Sequence, residues 1–194
     1  MVENVYNEML NDFHETLEKT SEDCTQHVNM TACQDDVVNI DKLKDSFVKN
    51  MKLTKAPKSC DALYMTPQDE FFMIEFKNGI IKGIENYEIN VKIFETLLML
   101  SEKFDKTIKY TREYMNFILV YNESVSHGEK QFEDTGIGLV QKPIFKRANT
   151  HMIRFGIHRF KKLYFKDVFT YSKAEFEREF VSKYFTETVP QTVA

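Results

Sequence analysis

Two carboxylates and a lysine in the first half of the chain have the types and spacing of a metal-dependent hydrolytic site. Glu75 and Lys77 are two residues apart in the apolar run 71–77 (FFMIEFK), a pattern that predicts a β-strand. Residues two apart on a strand project from the same face, so these charged side chains lie together while Ile74 and Phe76 face the other way. A solvated edge strand would carry more polar residues, so the pair requires an explanation.

Asp61 belongs to a second β-prone run, which the turn-like segment 66–70 (TPQDE) joins to the first. If that segment is the loop, Met65 pairs with Phe71 and Asp61 lies opposite Glu75, with Cβ atoms about 4.5–5.5 Å apart. Two carboxylates at that distance repel each other unless a cation lies between them, and hard divalent cations prefer carboxylate oxygens. A slip of one residue would turn Asp61 to the other face, so the prediction depends on one register.

These residues could together hydrolyse a phosphodiester bond. Asp61 and Glu75 would bind Mg²⁺ or Mn²⁺, with a backbone carbonyl such as that of Phe76 completing the metal shell. Lys77 would orient or deprotonate the attacking water, or stabilise charge on the phosphate. Three acidic residues of the first predicted helix are candidates for an accessory ligand, and they equally suit its solvated side: Glu8, Asp12 and Glu15.

Asp61, thirteen intervening residues and then Glu75-Phe76-Lys77 resemble the motif of the PD-(D/E)xK nuclease superfamily, which includes restriction endonucleases and Holliday-junction resolvases. The family core is a helix, three strands with the motif on the second and third, a helix and a further strand. The resemblance implies a restriction-endonuclease-like core, metal binding by Asp61 and Glu75, and catalytic assistance by Lys77.

The chain also departs from that family's pattern. Cys60 stands where the motif's name has proline, a position that varies within the family. No Gln-x-x-x-Tyr follows on the next predicted helix, so a RecB-like exonuclease subtype is not supported. The resemblance covers about half of the chain and leaves residues 139–194 unassigned.

Hydrophobic periodicity predicts the elements that must position these residues. The predicted helices are a first one with Val5, Met9, Phe13 and Leu17 in its apolar stripe, then 39–51, 88–104 and a last one opened by the capping box of Ser172 and Glu175. The predicted strands are 60–65, 71–78, 114–121, 153–157 and 165–170, with a short one near 138–141. Residues 19–36 read as a polar loop, which leaves 52–55 as the only room for a strand before Asp61.

Composition and element order favour one α/β (α+β) domain over residues 1–185, with a mixed central β-sheet flanked by helices and a frayed tail at 186–194. The chain has 194 residues, and 42% of them are hydrophobic, which excludes a disordered protein. No apolar stretch has the length of a membrane span, and the start lacks the pattern of a signal peptide. We therefore expect a cytoplasmic protein without a membrane partner.

Charge is distributed unevenly along the chain. The net charge is −4, but residues 139–183 carry 11 Lys and Arg against 4 Asp and Glu. A local basic segment can bind a phosphate backbone even in an acidic protein. The candidate nucleic-acid contacts are Arg154, Arg159, Lys161 and Lys162, with DNA favoured over RNA, although a solvated basic face explains them equally well. A homodimer would suit a double-strand cutter, but no residue indicates one.

Two alternative interpretations remain open. Cys24, His27 and Cys33 could be imagined as zinc ligands, but their spacing matches no paired Cys module, and three free thiols including Cys60 are the favoured interpretation. The same fold could also carry an inactive site. The chain would then be a binding or regulatory protein, for example an immunity protein of a bacterial toxin or defence system.

Overall fold

A six-stranded mixed β-sheet forms the centre of the computed structural model, which describes residues 2–125 and 153–185, with the backbone alone at 83–85. In sheet order, with numbers in chain order, the strands are β1 (His14–Thr16), β4 (Asp36–Asn39), β5 (Ala62–Met65), β6 (Phe71–Lys77), β7 (Met115–Tyr121) and β8 (Asp167–Ser172). Neighbours are antiparallel from β1 to β6 and parallel from β6 to β8. Strands β2 (Glu22–Asp23) and β3 (Val28–Asn29) form a separate small hairpin.

Helices cover both faces of the large sheet. They are α1 (Val2–Phe13), α2 (Leu17–Thr20), α3 (Ile40–Met51), α4 (Gly83–Phe104), α5 (Ile108–Tyr114), α6 (Lys173–Phe176) and α7 (Ser182–Tyr184), with a π-helical turn at Glu177–Val181 between the last two. The mixed α/β class with helices flanking the sheet, as predicted, is confirmed.

The sheet separates two hydrophobic layers. One layer packs α1, α3 and α4 against the odd-numbered residues of the central strands, such as Met73 and Leu119. The other packs the C-terminal helices against even-numbered residues, such as Ile74 and Ile118. Because both faces are covered, every residue of β7 is buried, as is usual for a strand with parallel neighbours.

The β5–β6 hairpin has the register that the sequence predicts. Met65 pairs with Phe71, and the ladder continues to Ala62 opposite Ile74. Asp61 lies one residue beyond the ladder, where its N–H donates to the Ile74 carbonyl at 3.1 Å. The pairing of Met65 with Phe71 is thus confirmed, and its continuation puts Asp61 opposite Glu75.

Two predictions for the N-terminal third are wrong. The first helix does not reach Leu17, because residues 14–16 are extended and pair with β4. The supposed loop 19–36 contains the end of α2, both strands of the small hairpin and the start of β4. Strands of two to four residues show too little alternation to be recognised. The strand expected before Asp61 corresponds to β4, which pairs with β5. Residues 52–55 are exposed and belong to no strand.

The C-terminal region is also corrected. Residues 153–157 alternate as a strand would, but the backbone turns at Phe155 and Gly156, whose φ angles are 59° and 69°. A 3-10 turn follows at Ile157–Phe160. The strand predicted at 165–170 begins two residues later, at Asp167. The predicted strand near 138–141 and the tail at 186–194 lie outside the described residues.

The remaining elements agree more closely with prediction. Helix α3 and the last helical segment begin where expected, and α4 begins five residues before the predicted start at Glu88. The sequence analysis missed α5. No helix within residues 2–125 and 153–185 has the length and apolarity needed to span a bilayer.

Candidate functional site

The acidic pair Asp61–Glu75 lies at the end of the β5–β6 hairpin, on the sheet face covered by α4. Glu75 is a charged residue in an apolar setting: it is 1% exposed, and its neighbours on the same face of β6 are Phe71 and Met73. The Phe76 N–H donates to Asp61 Oδ2 at 2.6 Å, which fixes the Asp61 carboxylate against β6. The hairpin thus holds two carboxylates together in a largely buried setting.

A lysine from α4 lies between the two carboxylates. Lys92 Nζ is 2.6 Å from Glu75 Oε1 and 3.4 Å from Asp61 Oδ1. The sequence predicts a cation between the two carboxylates, with a metal as the candidate. In the structure, the ammonium group of Lys92 lies there. Glu75 Oε2 is buried and has no hydrogen-bond partner among the described residues.

Burial and neighbouring charges shift the pKa values of Glu75, Asp61 and Lys92. Burial raises the pKa of the Glu75 carboxyl, and the charge of Asp61 raises it further. Burial also raises the pKa of Asp61, against the opposing effects of Lys92 and the Phe76 N–H. Burial would lower the pKa of Lys92, but the charges of Glu75 and Asp61 outweigh it and leave that pKa well above its ordinary value. The raised pKa of Glu75 favours its protonated form at neutral pH, so the Lys92 ammonium then faces one ionised carboxylate of the pair.

The acidic pair opens into a pocket of about 460 Å³. Lys77, Lys92 and the acidic residues Glu22, Asp23, Asp41 and Glu88 also line it. Among the described residues, Phe76 is the one aromatic residue that lines the pocket. Its ring packs against Phe176 in the opposite layer. No phenylalanine or tyrosine ring therefore plugs the described part of the pocket.

The small β2–β3 hairpin forms one wall of the pocket, and Asn78 attaches it to the end of β6. The Asn78 amide donates to Asp23 Oδ2 at 3.1 Å and to Gln26 Oε1 at 3.0 Å, and accepts from Asn122 Nδ2 at 2.7 Å. Asn78 is 5% exposed and uses its donor and acceptor groups fully. The wall is thus connected to the strand that carries Glu75 and Lys77.

Lys77 projects from the same face as Glu75 and lines the same pocket. Its charge lowers the pKa of Glu75 and Asp23, although burial and other contacts act more strongly on both groups. Within residues 2–125 and 153–185 no ion pair to Lys77 Nζ is found. The three predicted site residues Asp61, Glu75 and Lys77 are therefore together at one pocket, as is the backbone of Phe76.

The other predicted residues lie elsewhere. Glu8 and Asp12 are exposed on α1, and Glu15 on β1 pairs with Lys42 at 2.9 Å. None of the three lines the pocket. Besides the acidic pair, the acidic residues that do so come from the small hairpin (Glu22 and Asp23), α3 (Asp41) and α4 (Glu88), and none of them was expected from the sequence.

The four predicted nucleic-acid contacts divide into two kinds. Arg154 is 11% exposed and contacts the Tyr121 hydroxyl and Glu175, while Lys161 pairs with Asp167 at 2.8 Å. Arg159 and Lys162 are exposed around the 3-10 turn at Ile157–Phe160. Only this second pair presents its charge to solvent without a described carboxylate partner.

Sequence analysis missed Lys92, the residue that contacts both carboxylates. The available signal was its position on the predicted helix 88–104, between the apolar stripe residues Ile89 and Ile93. A lysine bordering such a stripe has to lie near the sheet, but its position alone does not indicate which strand residues it meets.

Within the described ranges, no three His, Cys, Asp or Glu side chains are grouped closely enough to form a metal site by themselves. None of the three cysteines forms a disulfide, and Cys33 and Cys60 are buried while Cys24 is exposed. Comparison with protein-family models, curated proteins and solved structures finds no match to this chain.

Proposed function

We propose that this protein is a metal-dependent phosphodiesterase of the nuclease type, with DNA favoured over RNA as its substrate. The observation that carries the proposal is Glu75 Oε2, a buried carboxylate oxygen without a described partner, beside Asp61 at an open pocket. Buried carboxylate oxygens are normally paired, and one that faces a pocket without a partner is available as a ligand for a cation. Catalytic groups are often held in such unfavourable surroundings.

The order of elements supports the resemblance to the PD-(D/E)xK superfamily. Helix α1, strands β4, β5 and β6, helix α4 and strand β7 occur in this order, with Asp61 just before β5 and Glu75 and Lys77 on β6. Further elements are inserted between α1 and β4 (β1, α2 and the β2–β3 hairpin) and between α4 and β7 (α5). Strand β7 pairs with β6 in parallel, as a crossover through a helix requires. Helix α3, inserted between β4 and β5, departs from the implied order.

The donor set fits Mg²⁺ or Mn²⁺. Magnesium keeps several waters and needs only one or two protein carboxylates, so the absence of a third acidic ligand among the described residues does not exclude it. Asp61, Glu75 and the Phe76 carbonyl would hold the ion. Such an ion makes a bound water more acidic and neutralises charge on a phosphodiester.

The chain's own residues would orient the reactants. The N–H of Phe76 holds the Asp61 carboxylate in one orientation, and the packed β6 strand does the same for Glu75. Lys77 would orient or deprotonate the attacking water, or stabilise negative charge on the phosphoryl oxygens. Arg159 and Lys162 would contribute backbone contacts, which act independently of sequence.

A second candidate function is a binding or regulatory protein with an inactive site. The position of Lys92 favours it, because an ammonium between the carboxylates can replace a metal in a site that no longer needs one. Under this alternative the pocket and fold persist and no metal binds.

Nuclease assays with purified protein separate the two functions. Supercoiled plasmid, single-stranded DNA and RNA are incubated with wild type, Glu75→Gln, Lys77→Met and the control Lys103→Met, in Mg²⁺, Mn²⁺ or EDTA. Lys103 is exposed in the last turn of α4 and does not line the pocket. We expect metal-dependent cleavage by wild type and the control, and a loss of about 100-fold or more in the two site variants.

Two other outcomes would contradict the proposal. Equal cleavage by all four proteins would trace the activity to a contaminant. Absence of cleavage by wild type on every substrate and with both metals would favour the binding protein.

A further inference from the structure

We propose that Lys92 is an exchangeable internal counter-ion, which holds the acidic pair together when no metal is bound and is displaced into the pocket by a divalent cation. The inference rests on the metal site of the proposed function and adds a regulatory step to it. Metal binding and the exposure of a second pocket lysine would then be one coupled event.

The geometry places Lys92 where a metal would compete with it. Its Nζ contacts Glu75 Oε1 and Asp61 Oδ1, so a cation shared by the two carboxylates requires the same space. Its side chain is 29% exposed and lines the pocket, whereas Glu75 is 1% exposed. Lys92 can therefore move outward on its flexible stem, while the carboxylates are fixed by the hairpin.

The charge balance favours the exchange. The acidic pair carries two negative charges when both groups are ionised, and Lys92 supplies one positive charge. Two other pocket carboxylates have cationic partners, since Asp41 binds Lys44 and Glu88 binds Lys58. Among the described contacts, Glu22 meets His27 and Asp23 meets neutral donors, so these two groups also attract cations into the pocket. At the pair, two carboxylates share one ammonium, and Glu75 Oε2 lacks a described partner. A divalent cation would balance both carboxylates in their ionised form.

Displacement would also change the pocket for an anion. Lys92 would then stand beside Lys77 as a second free ammonium facing the pocket. A phosphodiester would bind more tightly to this state than to the metal-free one, and by thermodynamic linkage it would tighten metal binding by the same factor. The site would thus bind substrate and metal cooperatively.

Calorimetric titration with Mn²⁺ tests the competition in wild type, Lys92→Met, Glu75→Gln and the control Lys103→Met, which removes an exposed lysine from the last turn of the same helix. Removing one positive charge at ~4 Å from a divalent ion, even screened as in bulk water, should strengthen binding about 30-fold. We expect that gain in Lys92→Met, unchanged affinity in Lys103→Met and loss of binding in Glu75→Gln. Equal or weaker binding by Lys92→Met would overturn the exchange, while the metal site would stand because Glu75→Gln abolishes binding.

A second measurement uses the wild-type protein and does not depend on the stability of a variant. Acetylation of lysines by a limiting reagent is followed by mass spectrometry with and without saturating Mn²⁺. We expect acetylation of Lys92 to rise several-fold with the metal, while that of Lys58 stays constant. Unchanged or reduced modification of Lys92 would refute its release. If no Mn²⁺ binds to wild type or to Lys92→Met, the proposed nuclease function falls together with the exchange.

Discussion

Replacing Glu75 by glutamine should stabilise the fold while it disables the proposed site. Burial and the charge of Asp61 raise the pKa of Glu75 to about 8, from an ordinary value of 4.5. Each pKa unit corresponds to about 1.4 kcal/mol, so ionising this group in the folded state costs at most about 5 kcal/mol. Glutamine avoids that cost, and the attraction of Lys92 for the ionised carboxylate is already contained in the shifted pKa. The gain in the free energy of unfolding at pH 9 is therefore at most about 5 kcal/mol.

The sign of the pH dependence follows from the same shift. A carboxyl whose pKa is raised by folding contributes stability that is present below its ordinary pKa and is lost as pH rises through the folded value. Wild type and Glu75→Gln should therefore differ little near pH 4.5. The variant should become progressively more stable than wild type between that pH and about 8.

Thermal unfolding followed by circular dichroism from pH 5.5 to 9 measures this difference. For a chain of this size, each 1 kcal/mol corresponds to a rise of about 2–4 °C in the Tm. Glu88→Gln is the matched control, because a hydrogen bond from Lys58 lowers the pKa of Glu88, so this group stays ionised over the whole range and its variant should show no pH trend relative to wild type. A Glu75→Gln variant that is less stable at pH 9, or whose advantage does not grow with pH, would refute the account of this cluster.

Two further substitutions test the supports of the pocket. Asn78→Ala removes the hydrogen bonds to Asp23 and Gln26 and should lower the free energy of unfolding by about 1–3 kcal/mol. Hydrogen exchange should accelerate in the β2–β3 hairpin, and unchanged rates there would contradict the anchoring role. Thr96→Val leaves the buried Cys60 N–H without its acceptor at 2.8 Å and should also lower the free energy of unfolding by about 1–3 kcal/mol. Urea titration measures this loss, and an unchanged midpoint would show that the bond contributes nothing.

The parts of the fold that were predictable are those whose signal is local. The β5–β6 hairpin was deduced from a turn and two β-prone runs, and Met65 pairs with Phe71 as expected. Helix α3 was predicted from its apolar spacing within one residue at its start. The segment 153–157 shows the limit of such reasoning, because alternating residues there cover two left-handed backbone positions.

The candidate site was predictable only as far as the hairpin extends. Glu75 and Lys77 share a strand face for reasons of strand geometry alone, and one turn length adds Asp61. Lys92 and Asp23 arrive from elements whose docking depends on tertiary packing, so no spacing in the sequence connects them to Glu75. The repulsion of the two carboxylates nevertheless predicts that a cation lies between them. It does not predict whether that cation is a metal or a lysine.

The β5–β6 hairpin also has a consequence for how the chain folds. Pairing β5 with β6 closes only the loop 66–70, whereas pairing β6 with β7 closes the segment 78–114. The longer closure costs roughly 2 kcal/mol more in chain entropy before any contact compensates it. The relative placement of Asp61 and Glu75 therefore depends on the strand pairing that costs the least chain entropy. It does not depend on the non-local assembly of the parallel half of the sheet.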